Sequence, residues 1–252
     1  MPYDTLNLQL DGPLARIKLA RPETSNHIDG RFIAELSSAC ESIGGDSEVR
    51  VALLTAEGTD FSSGWAEGAR ESFLENKALD PFGPLARLAC PVVAALQGAA
   101  TGAGLELALA ADIRIASEGA RFRLPDVGQS ALPVAGGTQR LLRLVGRALA
   151  TRMLLLGDEL DAAEAYRAGL VSRVLPESSL PDEAERVASR IAAWGPIALR
   201  YAKEAVLQGE EMSLDQALRY ELDLSVVLQT TRDRAEGVQA FMEKRPPEFK
   251  GR

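Results

Sequence analysis

Residues 91–117 read PVVAALQGAATGAGLELALAADIRIAS, and no other stretch limits the folding of this chain as strongly. PVVAALQG (91–98) and ADIRIAS (111–117) are short apolar, β-branched runs, the pattern of strands buried on both faces. Between them a glycine-rich turn leads into a helix beginning near Gly102. A strand, a turn, a helix and another strand packed so closely predict a βαβ crossover onto a sheet covered on both faces.

The flanking sequence extends that picture. LNLQL (6–10) and ARIKLA (15–20) alternate apolar and polar around Asp11-Gly12-Pro13, which predicts a β-hairpin. DGRFIAELSSACESI (29–43) sets Ile33, Leu36, Ala39, Cys40 and Ile43 at helical spacing, with Gly44-Gly45 as a stop. VRVALLTA (49–56) reads as a buried strand, and ARFRLP (120–125) and VSRVLP (171–176) as shorter extended runs. Past residue 138 amphipathic helices dominate, from TQRLLRLVGRALATRMLLLG, read as one helix, to RDRAEGVQAFMEK. The expectation is an α/β core over 1–195 and an all-helical portion over 196–252. Gly195-Pro196 marks the boundary, because proline suits a first helical position.

Composition removes several kinds of chemistry. A chain of 252 residues with a formal charge of −8 can build one large core, but it lacks the basic footprint that nucleic acid or an anionic membrane requires. A small anion held by local groups remains compatible with it. With two cysteines (Cys40, Cys90) and one histidine (His27) there is no metal-ligand spacing and no disulfide framework. No GxSxG elbow accompanies His27. The opening MPYDTLNLQL has no basic flank, and no apolar stretch approaches the ~20 residues of a membrane span, so the expected location is cytoplasmic.

Glu106 is the residue that needs explaining, a lone carboxylate in the apolar run GLELALA. The start of a helix carries unpaired N–H groups and the positive end of its dipole, and glycines let another group approach that backbone. A carboxylate one turn in, on the face of Gly102 and Ala103, puts a proton acceptor beside a turn able to host an oxygen anion. Acyl-transfer and enolate chemistry need both elements. Two readings stand on these residues: such a site, or a tightly packed helix start whose acid complements the dipole. GAGLEL lacks the third glycine of a dinucleotide loop, and no Walker A sequence occurs.

Other segments add to this: RPETSNHID (21–29), DFSSGWAEG (60–68), FRLPDVGQSALPVAGGTQRLLRLVG (122–146), AGLVSRVLP (168–176) and the closing FMEKRPPEFKGR. In this order and spacing nearly the whole chain resembles the crotonase superfamily, the enoyl-CoA hydratase/isomerase family, most specifically over Pro91–Leu142. The resemblance implies a spiral of ββα units around two roughly perpendicular sheets, followed by a helical trimerisation region and assembly as trimers or hexamers. It implies a thioester enolate held by two backbone N–H groups, which fall here on Trp65 and Ala103. Loss of one such donor costs roughly 3 kcal/mol. Glu106 and Asp126 match the family's two proton-transferring carboxylates: one accepts a proton from water attacking C3, the other supplies C2.

The chain departs from the pattern in places. Asp126 stands where most hydratases carry glutamate, and its oxygens retreat by about 1.5 Å. The backbone at 124–130 moves inward, a water bridges the gap, or the substrate sits differently; alone, Asp126 would read as a turn-capping aspartate. Trp65 replaces a small residue and either walls the acyl pocket or turns into the core. Ala66 follows it where many relatives have aspartate. Gln129 and Ser130 read equally as acyl contacts or surface, and the compact segment 66–87 predicts a short lid. Coenzyme A, part of the substrate rather than a separate cofactor, is expected along Ser63, Gly64, Trp65, Gly102 and Gly104. Arg21, Lys244 and Lys250 are candidates for its phosphates, Lys250 by resemblance serving a neighbouring subunit, and His27 reads as structural or pocket-lining. The implied activity is hydration of a 2-enoyl-CoA or its reverse. Isomerisation, thioester hydrolysis and non-catalytic acyl-CoA binding are the alternatives.

Overall fold

The computed structural model describes residues 3–75 and 80–252. The chain opens with an antiparallel hairpin of β1 (Leu6–Asp11) and β2 (Leu14–Leu19), in which Leu6 faces Leu19 and Asp11 faces Leu14. Helix α1 (Gly30–Gly45) follows, capped by Asp29, whose carboxylate accepts the Phe32 N–H at 2.8 Å. Then come β3 (Val51–Ala56), α2 (Ala69–Glu75), α3 (Gly83–Ala86), β4 (Val92–Leu96), β5 (Ala99–Thr101) and α4 (Ala103–Leu109). The next turn of the spiral is β6 (Ile113–Ser117), β7 (Arg121–Arg123) and α5 (Gly137–Leu156), followed by β8 (Leu160–Asp161), α6 (Ala162–Arg167) and β9 (Arg173–Leu175). Helices α7 (Leu180–Ala192), α8 (Pro196–Gly209), α9 (Leu214–Gln229) and α10 (Arg232–Glu243) complete the chain.

The strands form a six-stranded sheet, β1-β2-β3-β4-β6-β9, and a three-stranded one, β5-β7-β8. In the large sheet every pairing after the hairpin is parallel. The repeat is visible in β4-β5-α4 and β6-β7-α5: the first strand of each unit joins the large sheet, the second joins the small one. Period-two alternation divides the side chains of the large sheet. Ala52 and Leu54 of β3 and Val92, Ala94 and Leu96 of β4 enter the main core with α1 and α4. Val51, Leu53, Val93 and Ala95 face Leu180, Ala184 and Ala188 of α7. Burial on both faces explains the uninterrupted apolar runs of these strands.

Helices α8 and α9 contain no buried residue, and Val206, Leu214, Leu218, Leu222 and Val226 are all exposed. The closing segment folds back: Asp233 accepts the N–H groups of Lys250 and Gly251 at 2.7 and 2.8 Å, and Arg50 donates to the Phe249 carbonyl at 2.6 Å.

The structure corrects the sequence reading in two places. The turn expected between Gly98 and Thr101 contains β5, a three-residue strand too short and alanine-rich to show a period. The single helix expected after residue 138 is broken at Gly146, whose φ of +76° is not helical. Of the predicted lid over 66–87, residues 76–79 lie outside the described residues.

Candidate active site

The two expected oxyanion donors sit on adjacent segments that β5 brings together. Ser62 bridges Ala100 in parallel, its N–H donating to the Ala99 carbonyl at 2.9 Å and its carbonyl accepting the Thr101 N–H at 3.0 Å. Beyond it Trp65 bridges Ile28, a pairing that uses the Gly64 carbonyl and the Ala66 N–H, both at 2.8 Å from Ile28. In a parallel ladder the bridged residue's own N–H then faces the other way. Gly64 abuts the start of α4 on that side: a Cβ placed on it would stand 3.0 Å from the Thr101 carbonyl oxygen and 3.8 Å from the Ala103 nitrogen. Among the described residues neither the Trp65 nor the Ala103 N–H donates to a protein acceptor.

Two glycines make this approach possible. Gly102 has a φ of +52°, a left-handed value that swings the chain from β5 into α4, and its N–H is spent on the Arg123 carbonyl at 2.9 Å. Gly104 lies against Ser62 so closely that a Cβ there would be 2.4 Å from the Ser62 carbonyl oxygen. Ser63 is fixed by its N–H on the Ser25 carbonyl at 3.0 Å. Thus Ser63, Gly64, Trp65, Gly102, Ala103 and Gly104 are brought to one place.

Glu106 lies one turn into α4 and is fully buried. Its Oε1 accepts the N–H groups of Ala135 and Gly137, both at 2.8 Å, while Oε2 has no partner. The side chain is therefore oriented by one oxygen and left free at the other. Burial pushes its pKa up to about 7, against the pull of the two amides, and the nearby charge of Asp126 adds to the rise. Asp126 opens a 3₁₀ turn over Asp126–Gln129, is 5% exposed, and likewise has an unpartnered oxygen, Oδ2. Burial raises its pKa too, opposed in part by a backbone hydrogen bond and the Arg70 charge. Two carboxyl groups, each with one open oxygen and each pushed by burial toward its protonated form, are suited to exchanging protons with a substrate.

Trp65 is half-buried at the edge of the core, its ring stacked on Phe73 of α2 with centroids 5.6 Å apart. Gln129 and Ser130 are exposed. Lys250 is not brought to the site within this chain: it is exposed, with its N–H tied to Asp233 of α10. Arg21 is committed to Asp29 at 2.7 Å and to the His27 carbonyl, so it braces its own loop. Lys244 is exposed at the end of α10. Sequence reasoning missed the amides of Ala135 and Gly137, for which the signal was AGG at 135–137, and it missed Arg70, for which there was none. Among the described residues no group of three or more His, Cys, Asp or Glu could hold a metal ion.

Residues 10–252 match the family model described as enoyl-CoA hydratase/isomerase. The chain is 38% identical over 241 residues to 2,3-dehydroadipyl-CoA hydratase of Escherichia coli, covering 94% of each chain. It is 34% identical over 260 residues to crotonyl-CoA hydratase of Syntrophomonas wolfei, covering 99% of each. Among solved structures, the enoyl-CoA hydratase of Bacillus anthracis superposes with a TM-score of 0.94 at 34% identity, over 99% of this chain and 100% of that one.

Proposed function

The chain belongs to the enoyl-CoA hydratase/isomerase family, and on that premise we propose how it acts as an enoyl-CoA hydratase-like lyase. The thioester carbonyl of a 2-enoyl-CoA accepts the Trp65 and Ala103 N–H groups, with the coenzyme A moiety along Ser63, Gly64, Gly102 and Gly104. Water adds its oxygen to C3 while the free Oε2 of Glu106 takes its proton. Charge moves onto the thioester oxygen, where the two amides stabilise it. Asp126 supplies a proton to C2, and proton exchange between the two carboxyl groups restores the starting state. The product is a 3-hydroxyacyl-CoA. Addition of water changes no net oxidation state, so the reaction asks for no redox cofactor.

The observation that carries this reading is Glu106: fully buried, anchored by two amides on one oxygen, and unpartnered on the other. A merely structural acid would spend both oxygens. Incubation with crotonyl-CoA tests it through loss of the conjugated-thioester absorbance. Turnover with formation of 3-hydroxybutyryl-CoA is expected. Migration of a double bond, release of free CoA, or tight binding without turnover would each point to another member of the family's repertoire.

The bare apolar faces of α8 and α9 support self-association through residues 196–252 as a trimer or hexamer. Both cysteines carry free thiols, which fits a reducing compartment such as the cytoplasm. No described helix is long and apolar enough to cross a membrane.

A further inference from the structure

The acyl groups named for the two curated relatives differ, so the acyl end of this site has to be read from the chain itself. Among the described residues few buried side-chain polar atoms lack a partner, and four of them belong to residues in or next to this site: Glu106 Oε2, Asp126 Oδ2, Trp65 Nε1 and Arg70 Nε. The two oxygens belong to the proton-transfer groups. The two donors have no role in adding water.

Arg70 is the second residue of α2, and Phe73, three positions on, shares its face of the helix and stacks on Trp65. The Arg70 side chain is 21% exposed and reaches across the site, where Nη2 donates to the Leu132 carbonyl at 3.0 Å, in the loop that follows Asp126. Glu71 stands 3.7 Å from Nη1 on a side chain that is itself 66% exposed, a weak screened contact. Asp126 is a second charge that Arg70 acts on. When Asp126 carries the proton destined for C2 it is neutral, and the guanidinium loses that counter-charge. The buried, unpartnered Arg70 Nε–H then calls for an acceptor, and a planar carboxylate matches the guanidinium geometry best.

We propose that Arg70 is a specificity-determining residue that binds a second carboxylate on the acyl chain, making short dicarboxylic 2-enoyl-CoA thioesters the preferred substrate class. The proposal rests on the hydratase reading of the site. A purely hydrocarbon acyl chain would leave the Arg70 Nε–H unsatisfied, and a site built to meet a polar group discriminates against the analogue lacking it.

The test uses two matched pairs of six-carbon esters. 5-Carboxy-2-pentenoyl-CoA and 2-hexenoyl-CoA are compared in turnover, adipyl-CoA and hexanoyl-CoA in calorimetric binding, for the native protein and Arg70→Met. The native protein should favour the carboxylated ester by ~100-fold in kcat/KM, and Arg70→Met should bring that ratio close to one, chiefly through KM. Arg70→Lys, which keeps the charge but loses the fork, should retain part of the preference. A native ratio near or below one overturns the proposal, as does a ratio that Arg70→Met leaves unchanged while both rates fall together, the signature of a residue that only tunes Asp126. If neither enoyl ester is hydrated but adipyl-CoA binds more tightly through Arg70, the subsite stands and the hydratase reading fails.

Discussion

In α4 every residue from Ala103 to Leu109 is buried, whereas α8 and α9, thirty residues between them, bury none. Helix α4 is apolar apart from Glu106, whereas α8 and α9 are amphipathic, yet their apolar side chains are not buried. The difference lies in what each element faces. Helix α4 is enclosed by β5, α5 and the main core, and its one charged residue is compensated by two amides from the chain itself. Helices α8 and α9 pack chiefly on each other and leave Val206, Leu214, Leu222 and Val226 between 57 and 72% exposed. The site-bearing core covers its apolar surface from within, and the terminal helices leave theirs bare, which is what the proposed self-association would cover.

That contrast can be attacked from either end. The largest effect is expected at Glu106. Glutamine keeps an oxygen for the Ala135 and Gly137 amides, so Glu106→Gln should fold normally, yet lose about 10²- to 10⁴-fold in kcat with KM little changed. A loss below tenfold in a steady-state assay would mean that Glu106 is merely structural.

The same residue should leave a mark on stability. Its pKa lies near 7 in the folded protein against 4.5 for the free side chain, so the folded state keeps a proton that the unfolded state has released. Stability attributable to this group is therefore complete below pH 4.5 and declines as the pH rises through 7. Between pH 4.5 and 8 the native protein should lose on the order of 3 kcal/mol relative to Glu106→Gln in denaturant titrations. Parallel curves for the two proteins would show that Glu106 is freely ionised in the fold. The acidic limb of kcat/KM should likewise rise with pH toward an apparent pKa near 7.

Glycine substitution sharpens the comparison within the core. Gly104→Ala forces a Cβ to 2.4 Å from a backbone oxygen and should cost about 1–3 kcal/mol together with most of the activity. Gly44→Ala, in α1 with nothing within 4 Å of the new Cβ, should stabilise by about 0.5–1 kcal/mol. Equal thermal shifts for the two would remove the steric account of the α4–Ser62 contact. The smallest effect on the isolated fold belongs to α9: Leu222→Glu should change monomer stability by only ~0.5 kcal/mol, while lowering the sedimentation coefficient by dissociating the assembly. An unchanged coefficient would contradict self-association through α9.

The sequence made parts of this arrangement easy to read and hid others, for identifiable reasons. The strands of the large sheet are buried on both faces, so VALLTA and VVAAL stand out as continuous apolar runs. Of the small sheet only β7 was legible, inside the extended run ARFRLP; β5 and β8 stayed hidden, because strands of two or three residues have no measurable period. Glu106 was conspicuous as a charge in an apolar helix. Its holder was legible only as a double glycine: a Cβ on Gly137 would lie 2.9 Å from Glu106 Oε1. Arg70 was invisible, since an arginine among acidic residues looks like any solvated charge until folding brings it to Asp126. The position of Lys250 was not legible, because the closing segment is drawn to Asp233 and Arg50, contacts that no motif announces.

The central claim is that the Trp65 and Ala103 amides meet on a single thioester oxygen beside the open oxygen of Glu106. A crystal structure with an acyl-CoA that cannot be hydrated, such as hexanoyl-CoA, measures this directly. The account predicts a thioester oxygen within about 2.7–3.1 Å of both nitrogens, with Glu106 Oε2 facing the β-carbon. A thioester bound elsewhere, or either amide found donating to a protein group in the complex, would contradict it.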